Sequence, residues 1–118
     1  MATFRIEKIN KELLRVINEI LHKEVKNETA QEAILTEVNC SKDLGHAKVY
    51  FITLDANRRE IVLGALDNVA GQIRGHLGKI MRLRVIPELH FAIDLTEEKA
   101  RQLDRLLDSL HAGQEEPS

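Results

Sequence analysis

Residues 57–84, NRREIVLGALDNVAGQIRGHLGKIMRLR, decide how the rest of the chain is read. Ile61, Val62, Ala65, Leu66 and Val69 recur at the spacing that gathers residues on one face of a helix. Ile73, Leu77, Ile80 and Met81 form a second stripe with a different phase. Gly71 stands between the stripes, where glycine costs roughly 1 kcal/mol against alanine. The pattern predicts two consecutive helices with a bend at Gly71. Beyond the bend, Gln72 to Ile86 carries Arg74, Lys79, Arg82 and Arg84 and no acid. A kinked helix pair is therefore expected to turn a positive face toward something negative.

The remaining charge is arranged around this segment. The 118 residues have a net charge of -2, which argues against a protein that coats nucleic acid indiscriminately. A basic stripe on a mildly acidic body instead suggests one oriented contact, the alternative being an ordinary solvated helix face. The length suits one domain, with residues 1–110 as its body. The single cysteine, Cys40, leaves no intramolecular disulfide and fits a reducing compartment. No apolar run is long enough to span a bilayer, and MATFRIEKIN lacks the apolar core of a signal peptide. The expected location is the cytoplasm.

Outward from the centre, Phe4 to Lys26 reads as an amphipathic helix with a stripe of Ile6, Ile9, Leu13, Val16, Ile17, Ile20 and Leu21. Arg5, Lys8 and Arg15 share its exposed face and are secondary candidates for contact with an anion, unless they only pair with Glu12 and Glu19. Ala33 to Cys40 and His46 to Thr53 alternate as strands, and the turn Ser41 to Gly45 makes them an antiparallel hairpin with Gly45 available for a positive φ. Asn57 is the expected cap of the central helix, with Glu60 three residues on. Leu89 to Leu95 is a third strand, parallel to the second because a helical crossover joins them. Thr96 is expected to cap a last helix with the apolar stripe Ala100, Leu103, Leu106, Leu107 and Leu110. His111 to Ser118 reads as a disordered acidic tail. The order implies an α+β domain, a three-stranded mixed sheet with helices on one face.

Catalytic chemistry finds no foothold in this order. His22, His46, His76, His90 and His111 fall singly in different elements, so no metal site and no cofactor are expected. Gly78-Lys79 is followed by Ile80, which removes the hydroxyl of a phosphate-binding loop. Nothing pairs a nucleophile with a base, so the chain reads as a binding module without a small-molecule substrate. Gly75-His-Leu-Gly78 matches the G-x-x-G of KH domains but lies inside the helical stripe. There Gly75 and Gly78 either bare the helix backbone to a close sugar-phosphate approach or permit tight packing against the first helix or the sheet.

Several stretches together resemble the bacterial ribosome-binding factor A family across residues 4–110. They are Ser41, Asp43-Leu44, Ala47-Lys48-Val49-Tyr50, Ile73-Arg74, Leu77-Gly78-Lys79, Met81-Arg82-Leu83-Arg84 and Pro87-Glu88-Leu89, with Phe91 and Asp94. The resemblance implies a type II KH-like domain whose G-x-x-G loop is replaced by an Ala-x-Gly helix kink. That kink aligns with Val69-Ala70-Gly71, which keeps the glycine and not the first alanine. Where the family often has Asp-Pro-Arg after its first helix, this chain has Asn27-Glu28-Thr29. The likeness also implies a non-enzymatic, cytoplasmic factor that binds free small (30S) ribosomal subunits through 16S rRNA. Such factors assist late maturation and 5′-end processing of that rRNA and matter most in cold growth. An assembly GTPase is a further candidate partner, and a monomer is the simplest state. The rival expectation is a protein–protein adaptor that works through the last helix, with the basic face incidental.

Overall fold

The computed structural model describes residues 2–115, and side chains over residues 5–111. Leu13, Val16, Ile17, Ile20 and Leu21 are buried at helical spacing and define the inner face of α1 (Ala2–Lys23). The Asn10 side-chain oxygen accepts the Cys40 N–H at 2.9 Å, which ties α1 to the first strand. The expected helix is three residues too long at its C-terminus: the chain turns after Lys23. Gln31 donates to the Val25 carbonyl at 2.7 Å, and the Asn27 side chain accepts from the Ala30 N–H at 3.0 Å. The side chain of Phe4, where the expected helix begins, lies outside the described residues.

Strands β1 (Ile34–Cys40) and β2 (His46–Ile52) pair antiparallel, and β3 (Glu88–Ile93) pairs parallel to β2, which is central. This is the mixed sheet expected from the alternation. The alternation of β1 is interrupted, because Leu35 faces Phe51 and Glu37 faces Tyr50, leaving Thr36 as a bulge. Leu35, Val38 and Cys40 consequently share the inner face. Burial pushes the Cys40 thiol up, as suits a small apolar side chain.

The hairpin turn differs in detail from expectation. Leu44, not Gly45, has the positive φ, 60°. At Gly45 an added Cβ would stand 3.2 Å from Asp43 Oδ1, a tight contact that would press on the turn. That oxygen accepts from the Ser41 hydroxyl at 2.7 Å and the Gly45 N–H at 2.9 Å. These bonds, the hydroxyl's first, hold the Asp43 carboxyl below its usual range.

The expected helix pair is a single element, α2 (Arg59–Ile80). Val62, Leu66, Val69, Ile73 and Leu77 are buried in one stripe that passes through Val69-Ala70-Gly71 without a break in the helix. The apparent change of phase depended on Ile61 in the first stripe and Ile80 in the second, and both are 55% exposed. The start is set by Asp55 instead of Asn57: its carboxylate accepts the Asn57 N–H at 2.9 Å in a 3-10 turn, Ala56–Arg58, that leads into α2. Glu32 grips Arg58 with both oxygens, at 3.0 and 2.7 Å, and that hydrogen bonding lowers the Glu32 pKa. The end also differs, since Met81 is already extended (φ -97°, ψ 135°). Continued helix would have turned Arg84, seven residues beyond Leu77, toward the core. Pro87 further disfavours helix in the residue before it.

Helices α1 and α2 cover one face of the sheet, α1 over β1 and α2 over β3, and the core of Phe51, Phe91, Val49, Leu66 and Ile73 lies between the layers. Tyr50 is half-buried. The third helix, α3 (Thr96–Glu115), does not join this layer. Asp94, and not Thr96, supplies its cap, with one oxygen accepting the Thr96 N–H at 2.9 Å and the other the Thr36 hydroxyl. Both hydroxyls, Thr36 first and then Thr96, lower the Asp94 pKa. From Lys99 to His111 every residue is exposed, including the leucine stripe expected to pack inward. Residues 111–115, expected in a disordered tail, continue the helix, and residues 116–118 lie outside the described residues. A helix of this length spans about 30 Å. Its projection explains overall extents of 67 × 39 × 17 Å.

Candidate nucleic-acid interface

The buried stripe of α2 fixes what its opposite face shows. At about 100° per residue, with Ile73 pointing at the core, Gly71 and Gly75 lie about 160° away on either side and Gly78 about 140° away. All three are exposed. A Cβ added at Gly71 or Gly75 would meet nothing within 4 Å, and one at Gly78 would touch only Ile86, at 3.6 Å. The two roles left open for Gly75 and Gly78 are thereby separated. Neither glycine is packed against α1 or the sheet. Together they leave a bare strip of helix backbone facing outward.

Arg74 makes one wall of this strip. Its guanidinium donates to the Ile86 carbonyl at 2.9 Å, drawing the segment after α2 back against the helix. Gly71, Arg74, Gly75, Gly78 and Ile86 line the shallow, open groove that results. Arg74 keeps its charge and four further N–H donors for another partner. Lys79 is exposed in the last turn, where its charge offsets the negative end of the helix.

Arg82 and Arg84 are not on the helix where spacing had put them. Met81 is buried, Leu83 half-buried, and Arg82 and Arg84 are exposed, the alternation of an extended segment. Both arginines therefore point outward from the stretch that Arg74 holds to α2. Among the described residues, Arg74, Lys79, Arg82 and Arg84 have no carboxylate within ion-pair distance. Four uncompensated cations around a side-chain-free backbone strip suit an anionic polymer that comes close. Among the described residues, Phe51 and Phe91 are buried and Tyr50 is half-buried, which argues against base stacking.

The secondary candidates stand apart from this group. Arg5, Lys8 and Arg15 are exposed on α1, over the opposite edge of the sheet. Arg15 is engaged with Glu19 at 3.1 Å, as its spacing allowed. Nothing among the described residues links these three to the α2 group. One arrangement escaped sequence reasoning: His46 and His90, expected to stand singly, meet across β2 and β3 at 2.9 Å. Their contact depends on strand register, which no spacing along the chain encodes.

Comparison with known proteins follows the same lines. The family model described as ribosome-binding factor A matches residues 5–107. The chain is 35% identical over 116 residues to ribosome-binding factor A of Natranaerobius thermophilus, covering 98% of this chain and 88% of that one. The crystal structure of ribosome-binding factor A from Thermus thermophilus is similar, with a TM-score of 0.67 at 22% identity over 75% of this chain and 94% of that one. A homology model of the Thermus protein, fitted into a cryo-electron microscopy map of its complex with the 30S subunit, matches with a TM-score of 0.60 at 22% identity over 72% of this chain and 90% of that one. The α+β, KH-like fold is shared with these structures.

Proposed function

The chain belongs to the ribosome-binding factor A family, and on that premise we propose that it is an assembly factor that docks on the rRNA of free small (30S) ribosomal subunits. The observation that carries this reading is the glycine strip of α2 with its four uncompensated cations. A sugar-phosphate backbone can lie on the strip while Arg74, Lys79, Arg82 and Arg84 reach its phosphates. Phosphate contacts position a protein without reading bases, so specificity comes from the shape of the folded rRNA. Arg5, Lys8 and Arg15 extend the contact where the rRNA wraps toward α1.

The action is occupancy, with no catalytic step. A wedge seated at an rRNA junction holds immature helices of 16S rRNA in one arrangement during late maturation and 5′-end processing. The need is greatest in the cold, where misfolded RNA escapes slowly. The same wedge is incompatible with the joined, translating ribosome. On this reading the protein acts in the cytoplasm as a monomer, and an assembly GTPase is a suitable agent of its release.

Co-sedimentation with purified small subunits and with whole ribosomes tests the proposal. Binding is expected to small subunits alone. With about four phosphates neutralised, affinity should fall on the order of a hundredfold between about 50 and 200 mM salt. Lys79→Gln with Arg82→Gln should about halve the slope of log affinity against log salt. A flat salt response, or stable association with whole ribosomes, refutes it.

One observation favours a second reading, a protein–protein adaptor. Leu103, Leu106, Leu107 and Leu110 of α3 are 52–57% exposed and lie outside the core cluster of the described residues. Charge reversal at Arg74 and Arg82 separates the two, because the adaptor would still retain its partner.

A further inference from the structure

The face of the sheet that α1 and α2 leave open carries a cluster that the rRNA reading does not use. In the parallel ladder His46 stands opposite Glu88, and Lys48 opposite His90. Residues two apart on a strand share a face, so His46, Glu88 and His90 all project outward at the start of β2 and β3. His46 Nδ1 lies 2.9 Å from His90 Nε2 and 3.7 Å from Glu88 Oε2. One donor atom from each residue falls within 4.8 Å of the other two. We propose that His46, Glu88 and His90 form a binding site for one divalent transition-metal ion of the zinc class.

The donor set and its geometry carry this assignment. Zinc binds imidazole nitrogen and carboxylate oxygen at about 2.0–2.2 Å, so two such donors stand about 2.9 Å apart at a right angle and about 3.4 Å apart at the tetrahedral angle. The two imidazole nitrogens already stand at 2.9 Å, within that range, and rotation of the exposed Glu88 side chain has to bring its oxygen in from 3.7 Å of His46 and at most 4.8 Å of His90. Three protein donors leave a fourth position for water, the arrangement of an open zinc site. Two imidazoles beside one carboxylate favour zinc, copper or nickel over magnesium or calcium, which prefer oxygen alone. One of the two facing ring nitrogens donates in this contact, and either ring frees that nitrogen for the ion by a change of tautomer.

The backbone beneath the cluster is already fixed. The Glu88 N–H donates to the Gly45 carbonyl at 2.9 Å, and the His46 N–H to the Ser41 hydroxyl at 3.0 Å. The ion therefore has the three side chains to order and not the backbone. Once bound, it would fasten the β1–β2 turn to the foot of β3, directly after the segment that bears Arg82 and Arg84. The proposal does not depend on the rRNA reading, because the cluster lies on a different surface.

Calorimetric titration of the tag-free full chain with zinc chloride in a non-chelating buffer tests it. One equivalent should bind. His46→Gln and His90→Gln should each weaken binding by more than the roughly 10–100-fold that loss of an outer-shell partner costs, with a smaller loss for Glu88→Gln. His22→Gln, on α1, should change nothing. All these side chains are exposed, so the variants should fold. No zinc binding, or binding unchanged in the His46→Gln, His90→Gln double variant, overturns the site. Binding indifferent to Glu88→Gln overturns its three-ligand form.

Discussion

Replacing Gly71 and Gly75 with alanine should make the protein more stable and its rRNA contact weaker. Each glycine sits inside α2 and faces open space, with nothing within 4 Å of an added Cβ. Alanine therefore gains helix propensity and constrains the unfolded chain without a clash, by roughly 0.5–1 kcal/mol per site. The pair should contribute about 1–2 kcal/mol. With an unfolding entropy of about 2.1 cal/mol/K per residue, a chain of 118 residues has about 0.25 kcal/mol/K in all. The melting temperature should thus rise by about 4–8 °C. At the surface the two methyl groups lift an approaching sugar-phosphate backbone by about 1.5 Å, enough to break one charge-assisted hydrogen bond worth about 1.5–3 kcal/mol. Affinity for small subunits should fall by about tenfold or more. Thermal melts by circular dichroism and co-sedimentation of the same preparations give the two numbers. A lowered melting temperature would mean that the strip is not open. A raised one with undiminished binding would mean that rRNA does not lie on it.

Two other perturbations probe the body and the third helix. Leu77→Ala removes a fully buried side chain under the interface and should cost about 3 kcal/mol in urea unfolding, whereas Leu106→Gln with Leu110→Gln should stay within about 0.5 kcal/mol each; equal losses would place α3 against the body. Asp94→Asn should cost about 1 kcal/mol at neutral pH through the α3 cap and the Thr36 bond. Because the folded Asp94 pKa is depressed, its contribution is complete above the unfolded value of about 3.9 and is lost as pH falls through the folded one. Unfolding curves should show the wild type and the variant converging below about pH 4, and a gap that widens in acid would refute the sign.

What could be read from the chain was whatever one period encodes. The stripe of α1, the hairpin and the parallel β3 all follow from a spacing of residues or from the handedness and length of a connection. The misreadings arise where two periods meet or where a face has no partner. Ile61 in one stripe and Ile80 in the other created an apparent change of phase in α2, because an apolar residue at a helix margin has the same letter whether exposed or buried. The alternation Met81-Arg82-Leu83-Arg84 was present, yet it also fits the end of a helix, and only burial of Met81 beside exposed Arg82 decides between them. The leucines of α3 have a core's periodicity and no core to meet. Periodicity reports that a face wants a partner, not that the domain supplies one.

The interface was half legible for the same reason. Its charges are visible in sequence because a run from Gln72 to Ile86 with four bases and no acid is uneven however it folds. The glycines carried equal weight in two opposite roles until the helix had a fixed inner face. Once Ile73 and Leu77 point to the core, the glycines must face solvent, and there each costs helix stability with no packing return. A helix that keeps them has a reason outside itself. The cations that flank the strip, unpaired with any carboxylate among the described residues, supply the charge of that reason, and a phosphate backbone supplies its shape. Charge alone would suit any anion. Charge around bare helix backbone selects a ligand that must come closer than a side chain would allow.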